Sequence, residues 1–346
     1  MNKLKLIITT SLLFFVILVF SQEKKYKVSC LAFYNLENLF DTINQPNVID
    51  EEFTPTGKNA WGTMKYTNKL KNMAYAISQI GGKLAPKGPS VLGVSEIENR
   101  GVLEDLVKEP TIKQNNYQIV HYNSPDRRGV DVALLYNPSD FKVITSKSYR
   151  LRMDNDTTFR TRDQLLVEGL LEGEIFYFIV NHWPSRSGGE AKSRPKRIAA
   201  AELTKHISDS ILAINKKAKI VIMGDLNDDP VDISTSKILN AKRKTSEVPN
   251  GGLFNTMWPL YDEGIGSLAY NDKWNLFDQI IISKGLLGEK SEKYTFWKAE
   301  VQNKDFLIQQ EGRYKGYPLR THAGGAWLNG YSDHFPTCIY VIKEIK

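Results

Sequence analysis

The feature that most constrains this chain is a succession of short β-rich runs that alternates with only a few helical segments. Ten runs are rich in Val, Ile, Tyr and Phe and are mostly bounded by polar or turn residues, which predicts β-strands. Two polar stretches, 37–59 and 233–252, are predicted loops. The predicted strands cover residues 28–34, 90–94, 118–122, 130–136, 141–145, 164–171, 175–181, 220–223, 276–282 and 337–342.

Two segments show the apolar spacing of amphipathic helices. The first covers residues 66–80 and is predicted to end at Gly81. The second carries the apolar residues of 198–214, with Pro195 in its first turn. The chain shows no internal repeat of about 20–50 residues and no linker-like stretch, so we predict a single α/β domain over residues 24–346.

Residues 1–21 have the pattern of a secretory signal peptide. Lys3 and Lys5 precede an apolar run from Leu6 to Phe20, after which the chain turns sharply polar. That run is shorter than the roughly 20 residues that a spanning helix needs, which disfavours the alternative of a single membrane anchor. We therefore predict cleavage and export, either to the periplasm or out of the cell.

An exported protein meets an oxidising environment, so the two cysteines need an explanation. Cys30 and Cys338 lie in strand-like runs near opposite ends of the chain. Two interpretations stay open: buried small hydrophobic residues, or a disulfide that joins the two ends. The formal charge of +7 favours anionic partners, but only weakly.

Polar side chains suited to catalysis stand at six of the predicted strands. In α/β folds the strand ends converge on one rim, so we expect these side chains to share a cleft. The residues are Asn35, Glu96, Asn181 with His182, Asp225 with Asn227, Asp278, and Asp333 with His334.

The types of side chain in this set suit the attack of water on a phosphate. Asn35, Glu96 and Asp333 offer oxygen ligands, which Mg²⁺, Mn²⁺ and Ca²⁺ prefer. The sequence has no HExxH, GxxxxGK[ST], GxGxxG or GxSxG motif, which excludes the usual zinc, nucleotide-loop and serine-hydrolase sites. A divalent metal neutralises developing charge, while carboxylates, histidines and asparagines orient water and hold phosphoryl oxygens.

Seven motifs, in this order, make the sequence resemble the endonuclease/exonuclease/phosphatase superfamily. They are FYNLENLF at 33–40, SEIEN at 95–99, RGVDVALLY at 128–136, NHWPS at 181–185, GDLNDDP at 224–230, FDQI at 277–280 and SDHFP at 332–336. The resemblance implies a four-layered α/β sandwich, with two β-sheets face to face and helices outside. It also implies a metal site at Asn35, Glu96 and Asp333, with Mg²⁺ as the first expectation and Mn²⁺ or Ca²⁺ as alternatives.

The same resemblance implies catalytic roles. His182 would contact the phosphate, and Asp225 with Asn227 would orient water and bind the phosphate. His334 would contact the scissile phosphate, and Asp278 would fix the tautomer of its ring and raise its basicity.

The sequence departs from the family pattern in the FDQI motif. Gln279 stands where inositol polyphosphate phosphatases carry an arginine, which disfavours that activity. At the other departure, Ser95 replaces a glutamine that the family often has, but the neighbouring acid Glu96 is kept.

Several basic residues and histidines lie near these motifs. Arg128 precedes a predicted strand, where this family can place a phosphate-contacting arginine; a surface role is the alternative. Residues 185–197 hold five basic side chains and one acidic one, which can grip flanking phosphates or form a solvated lead-in to the helix. His121, His206 and His322 lack a partner pattern and are expected to be structural or exposed.

These observations predict an exported, divalent-metal-dependent phosphodiesterase, with a nuclease on DNA or RNA as the first hypothesis. The alternative is a phosphatase, or a hydrolase of phospholipids or small phosphodiesters, with the same fold. An enzyme that acts on a bilayer should expose an aromatic hairpin; region 258–274 is the one candidate in the sequence, and core positions explain its tryptophans more simply. A non-catalytic binding module is disfavoured because all the expected catalytic groups are present. We expect a monomer without a stable membrane anchor.

Overall fold

The computed structural model describes residues 24–153, 155–289 and 291–345, so segment 1–21, which is predicted to be a signal peptide, lies outside the described residues. Within them the helices are α1 (Thr63–Gln79), α2 (Arg100–Val107), α3 (Glu190–Ile214) and α4 (Trp258–Asp262). The strands are β1 (Lys25–Leu39), β2 (Val91–Ile97), β3 (Gln118–His121), β4 (Asp131–Tyr136), β5 (Phe141–Tyr149), β6 (Gln164–Leu171), β7 (Glu174–His182), β8 (Lys219–Asp225), β9 (Ala241–Lys242), β10 (Leu253–Asn255), β11 (Leu268–Tyr270), β12 (Lys273–Asn275), β13 (Asp278–Ser283), β14 (Thr295–Val301), β15 (His322–Ala323), β16 (Ala326–Trp327) and β17 (Thr337–Ile345).

Two large sheets organise these strands. The six-stranded sheet has the order β14-β17-β1-β2-β4-β3, and the seven-stranded sheet has the order β5-β6-β7-β8-β13-β10-β9. In each sheet one central pair is parallel, β1 with β2 and β7 with β8, and the neighbours β17 and β13 run antiparallel to them.

Alternation of side chains along the strands produces three apolar layers. In β1, Leu31 and Phe33 pack into the space between the sheets, whereas Ala32 and Tyr34 belong to the layer beneath α1 and α2. On the other side, Ile207 of α3 packs in the layer that covers the outer face of the seven-stranded sheet. The order helix, sheet, sheet, helix confirms the four-layered sandwich.

All ten predicted strands and both predicted helices are present, although several boundaries differ from the prediction. β1 continues to Leu39, so the loop predicted at 37–59 starts later. Helix α3 begins at Glu190, and Pro195 lies beyond its first turn. Its missing N–H leaves one backbone bond unmade close to the start of the helix, where the fold tolerates it.

Among the elements that were not predicted, helix α2 and strand β14 are the longest, and both give a weak sequence signal. Helix α2 has only eight residues, so its buried apolar residues cannot establish a helical period. Strand β14 is an edge strand whose residues are mostly half-buried, so its alternation is blurred.

The two cysteines lie in the apolar layer beneath α1 and α2. Cys30 and Cys338 are buried there as free thiols, which agrees with the interpretation as small hydrophobic residues. In the described part of the chain, no helix is long and apolar enough to cross a bilayer.

Candidate active site

The strand directions bring the predicted site residues to one rim of the sandwich. The parallel strands β1, β2, β7 and β8 end there, and the antiparallel strands β13 and β17 begin there. Polar groups placed at strand ends therefore meet, although they are far apart in the sequence. The rim carries Asn35, Glu96, Arg128, His182, Asp225, Asn227, Asp278, Asp333 and His334, which are linked to one another by the contacts described next.

Sheet register alone brings three of them together. On the adjacent strands β7, β8 and β13, His182 is paired with Asp225, and Asp225 is paired with Asp278. Gly224 allows this close arrangement, because a Cβ at that position would lie 2.3 Å from the carbonyl oxygen of Asn181.

His334 is held by carboxylates. Its Nδ1 lies 2.6 Å from Oδ2 of Asp278, and its Nε2 lies 3.9 Å from Oδ2 of Asp225 and 3.9 Å from Oδ1 of Asp333. Ser267 donates a further hydrogen bond to Asp278 and fixes that carboxylate. Burial lowers the pKa of His334, but the Asp278 and Asp225 charges outweigh it and raise the pKa well above 6.5. The ring is thus an imidazolium aimed at Asp225.

Asp225 occupies the centre of the rim. It accepts hydrogen bonds from the backbone N–H of Asn227 at 3.0 Å and from Nδ2 of Asn35 at 3.1 Å. Burial raises its pKa to about 7, with Asp278 and Glu96 adding to the rise and His334 opposing it. A carboxyl group with a pKa near neutrality is suited to exchanging a proton with water.

His182 has the opposite surroundings. Its Nε2 lies 3.6 Å from Asp225 and 3.8 Å from Glu96, but burial, followed by the charges of Arg162 and Arg128, lowers its pKa well below 6.5. The ring is therefore neutral at neutral pH. Among the described residues its Nδ1 has no hydrogen-bond partner.

Glu96 is aimed at the rim by a strained backbone. The register of β2 against β4 shifts between Ser95 and Ile97, and Glu96 adopts a φ of 57°. A left-handed glutamate at a β-bulge costs free energy, and such strain is typical of functional positions. Its Oε2 accepts the N–H of Asn38 at 3.1 Å, and its Oε1 lies 3.8 Å from both His182 and Arg128.

The oxygen atoms around Glu96 suit a hard divalent cation. The Glu96 carboxylate is only slightly exposed, and its Oε1 lies no closer than 3.8 Å to Arg128 or His182. Asn35 Oδ1 accepts one bond, from Glu37 N–H, and keeps a lone pair. Asp333 uses Oδ2 for Arg320, at 2.9 Å, so Oδ1 is the oxygen it can offer. Carboxylate and amide oxygens are the ligands of Mg²⁺ and Mn²⁺.

A second grouping could also hold an ion. Ligand atoms of Asp225, Asp278 and His334 lie within 4.8 Å of one another. The direct bond between His334 and Asp278 already explains why these atoms are close, so we favour the Glu96 side for the metal.

Sequence reasoning missed several charged residues that support the rim. Buried Glu37 accepts the N–H of Thr321 at 2.7 Å and lies 3.3 Å from Arg320, which in turn contacts Asp333. Burial, and then Asp333, raise the pKa of Glu37 to about 7. Glu37 stands inside FYNLENLF, so that motif could have identified it; nothing in the sequence distinguishes Arg320.

Buried Arg162 is a second missed residue. It contacts Asp126 at 3.0 Å and donates to the carbonyl oxygens of His182 and Trp183. The guanidinium therefore fixes the backbone that carries His182. It lies in a polar stretch before β6, without a motif.

Contacts with other segments fix the backbone around Asn227. Asn227 has a φ of 51° and uses Nδ2 to donate to the carbonyl oxygen of Trp183 at 3.0 Å. The next residue, Asp228, binds Arg197 at 2.6 Å, and its carbonyl oxygen accepts a bond from Gln279. Gln279 is fully buried, so it supports this segment from beneath.

The basic segment 185–197 differs from the prediction of a phosphate-gripping loop. Its second half is helical, and Arg197 is fully buried against Asp228. Arg186 lies 2.7 Å from Asp232, and Arg194 lies 2.6 Å from Glu190. Burial excludes Arg197 from contact with a flanking phosphate, and acids already pair with Arg186 and Arg194. The helical second half agrees with the alternative of a lead-in to the helix.

The three remaining histidines lie outside the rim cluster. His121 forms a buried pair with Asp131 at 2.8 Å, and His206 is exposed on α3. His322 packs beside Trp61, and burial lowers its pKa to about 4. Arg128, by contrast, is half exposed at the rim, 3.8 Å from Glu96.

Comparisons with known proteins agree with this architecture. TDP2 from Caenorhabditis elegans, in truncated form, is similar with a TM-score of 0.55 and 17% identity, over 91% of this chain and 97% of that one. D. rerio TDP2 complexed with a single-strand DNA product gives 0.53 and 14%, over 91% and 98%. A protein of the endonuclease/exonuclease/phosphatase family from Bacteroides thetaiotaomicron gives 0.55 and 14%, over 93% and 100%.

The search of curated protein sequences gives no significant match. The sequence pattern of the Endonuclease/Exonuclease/phosphatase family, however, matches residues 30–343, nearly the whole described chain. The chain therefore belongs to the endonuclease/exonuclease/phosphatase family.

Proposed function

We propose that this phosphoesterase-fold protein is an exported, divalent-metal-dependent phosphodiesterase that hydrolyses the backbone of DNA or RNA. The observation that carries the proposal is the contact between Asp278 and His334. It leaves Nε2 of His334 facing Asp225 and Asp333, each 3.9 Å away. A cationic donor, a carboxyl group poised near neutrality and a set of oxygen ligands are what phosphodiester hydrolysis needs.

In this proposal each rim residue has a task. His334 donates a hydrogen bond or a proton to a phosphoryl or leaving oxygen, and Asp278 holds its ring in place. Asp225 orients the attacking water and accepts its proton. Neutral His182 and the half-exposed Arg128 hold the non-bridging oxygens.

Glu96, Asn35 and Asp333 would hold the metal, with Mg²⁺ as the first choice. The ion supplies neutralisation of the charge that develops on the phosphoryl group. Asn227 has one amide hydrogen committed to Trp183, and the other is available to a phosphate.

A nucleic-acid substrate is supported by one relative and by charge. D. rerio TDP2 has been captured with a single-strand DNA product, and its fold is similar to that of this chain. Arg128 and Arg320 are both half exposed on either side of the acids, where a phosphate backbone can pass. Export is supported by the signal-peptide pattern of residues 1–21.

The test is a substrate panel with and without a chelator. The protein is incubated with plasmid DNA, single-stranded DNA, RNA, sphingomyelin, inositol phosphates and bis-p-nitrophenyl phosphate in Mg²⁺. We expect chelator-sensitive cleavage of nucleic acid and of the small diester. Hydrolysis of only sphingomyelin or inositol phosphates would support the alternative activity. Cleavage that persists in the chelator would contradict the proposed dependence on a divalent metal.

A further inference from the structure

A cavity of about 470 Å³ adjoins the active-site rim and is walled by tyrosines and arginines. Its lining includes Tyr270, Arg313, Tyr314, Tyr317 and Arg320, which together we call the aromatic groove. Tyr270 is 70% exposed and Tyr314 is 47% exposed, and the guanidinium of Arg313 lies 5.7 Å from the Tyr314 ring centre. Large aromatic faces left open to solvent in this way indicate a binding surface.

Hydrogen bonds connect the walls of the groove. Its outer wall is the hairpin of β11 and β12, in which Tyr270 pairs with Lys273. Both turn residues, Asn271 and Asp272, have positive φ values of 48° and 60°, which is typical of a tight type I′ turn. Tyr317 donates to Asp272 at 2.6 Å and accepts its N–H at 2.7 Å, so the two walls of the groove are tied together.

The same hairpin is anchored to the catalytic histidine. Ser267, just before β11, bonds to Asp278 and accepts the N–H of Phe335, the residue after His334. Trp274 of β12 stacks on Phe335 with ring centres 5.9 Å apart. A ligand seated in the groove is therefore held in a fixed position relative to His334.

Arg320 connects the groove with the acidic side of the rim. It lines the cavity and also binds Asp333 at 2.9 Å, and its side chain is 45% exposed. A phosphate that enters the rim thus meets a guanidinium on the path towards the tyrosines. Phosphate contact followed by an open aromatic surface is the arrangement that single-stranded nucleic acid requires.

We propose that the aromatic groove stacks the unpaired bases next to the scissile phosphate, so that the enzyme selects single-stranded nucleic acid. This inference rests on the proposed function and specifies its substrate. Tyrosine rings and guanidinium planes stack on the faces of bases, which a duplex hides between its own pairs. A lipid surface fits less well, because three polar residues, Asn271, Asp272 and Lys273, stand beside Tyr270 at the hairpin tip.

The experiment measures binding by fluorescence anisotropy in a chelator, so that no turnover is needed. The ligands are a labelled single-stranded 12-mer of DNA, the matching RNA, the same backbone with abasic positions, and the duplex. The variants are Tyr270→Ala/Tyr314→Ala, the ring-preserving Tyr270→Phe/Tyr314→Phe, and Trp297→Ala as a control, an aromatic that is 40% exposed on the edge strand β14. Thermal melting checks that each variant folds.

We expect the double alanine variant to lose roughly 10- to 100-fold in affinity for the single strands. The phenylalanine variant and Trp297→Ala should bind like the wild type, and the abasic strand should bind weakly to all of them. The inference would be overturned if the wild type bound the abasic and the normal strand equally well, or if it bound no single strand. Unchanged binding by the double alanine variant would overturn it as well. Phosphatidylcholine or sphingomyelin vesicles serve as further ligands. The inference would also be overturned if the double alanine variant lost binding to these vesicles but kept its binding to nucleic acid.

A separate assay distinguishes this failure from failure of the proposed function. If the wild type cleaves nucleic acid in Mg²⁺ while the groove variants bind and cleave normally, only the stacking inference is wrong. If the wild type hydrolyses bis-p-nitrophenyl phosphate but no nucleic acid, the proposed substrate class is wrong as well.

Discussion

The two histidines of the rim both lie within 4 Å of Asp225, yet their surroundings shift the pKa values of the two rings in opposite directions. His334 lies among Asp278, Asp225 and Asp333, and these carboxylates raise its pKa. On the other side of Asp225, burial and the nearby cation of Arg162 lower the pKa of His182. The comparison shows that the residue type does not set the role of a histidine; the neighbouring strands and loops do.

The difference has a structural origin. Two of the three acids beside His334 come from strand ends, Asp225 from β8 and Asp278 from β13, and so follow from sheet register. Arg162, beside His182, comes from the connection before β6, where it also binds Asp126 and two backbone carbonyls. The carboxylate side is thus built into the sheets, and the arginine side is added by loops.

The largest expected effect comes from breaking the carboxylate side. His334→Ala should lower kcat by about 10³-fold, which is within the range for loss of a positioned acid. Asp278→Asn should lower kcat through the same ring, so the double variant should be no slower than His334→Ala alone. Steady-state kinetics on bis-p-nitrophenyl phosphate measures this, and additive losses would show that Asp278 acts independently of His334.

Removing charge from the proposed metal side should come next. Glu96→Gln keeps the volume and deletes the ligand charge, and we expect a fall in kcat of about 10²-fold. Circular dichroism and thermal melting should show an intact fold. Turnover close to the wild type in saturating Mg²⁺ would contradict the role of Glu96 as a ligand.

Weakening the arginine side should have a smaller effect. Arg162→Gln removes the cation that fixes the backbone of His182, and we expect roughly 10- to 100-fold lower activity, the range for residues that position a site. Arg127→Gln, at an exposed neighbour, is the control and should behave like the wild type. If Arg162→Gln folds and retains full activity, the arginine side has no part in positioning His182.

The smallest effect is expected outside both histidine regions. In segment 185–197, Lys192 and Lys196 are the exposed lysines, and the arginines already face acids. Lys192→Gln/Lys196→Gln should lower the log–log salt slope of oligonucleotide cleavage by at most about two units. Hydrolysis of the small diester should not change; if it did, the segment would act on catalysis rather than on a distant phosphate.

Features with a local sequence signal, the strands and the polar residues at their ends, could be predicted from the sequence. Each of the ten strands has a β-rich run, and residues at their ends, such as Asn35, Glu96 and Asp225, could be expected to meet because parallel strands share a rim. The resemblance motifs then selected among these residues. The structure places all of them within one contact network.

What escaped prediction depends on long-range contacts. Arg162 and Arg320 reach the rim from connecting segments, so no periodicity or spacing identifies them. Arg197 looked like one charge of a basic loop, but its burial against Asp228 follows from the packing of α3 on the segment after β8. The aromatic groove likewise joins residues 270 and 314, which only the folded chain brings together.

The most direct test of the account compares three histidine variants in one assay. The rates of oligonucleotide and bis-p-nitrophenyl phosphate cleavage in Mg²⁺ are measured for His334→Ala, His182→Ala and His206→Ala, the last being an exposed histidine on α3. We predict losses of about 10²-fold or more for each of the two rim variants and none for His206→Ala. Equal, small effects in all three variants would show that hydrolysis does not take place at this rim.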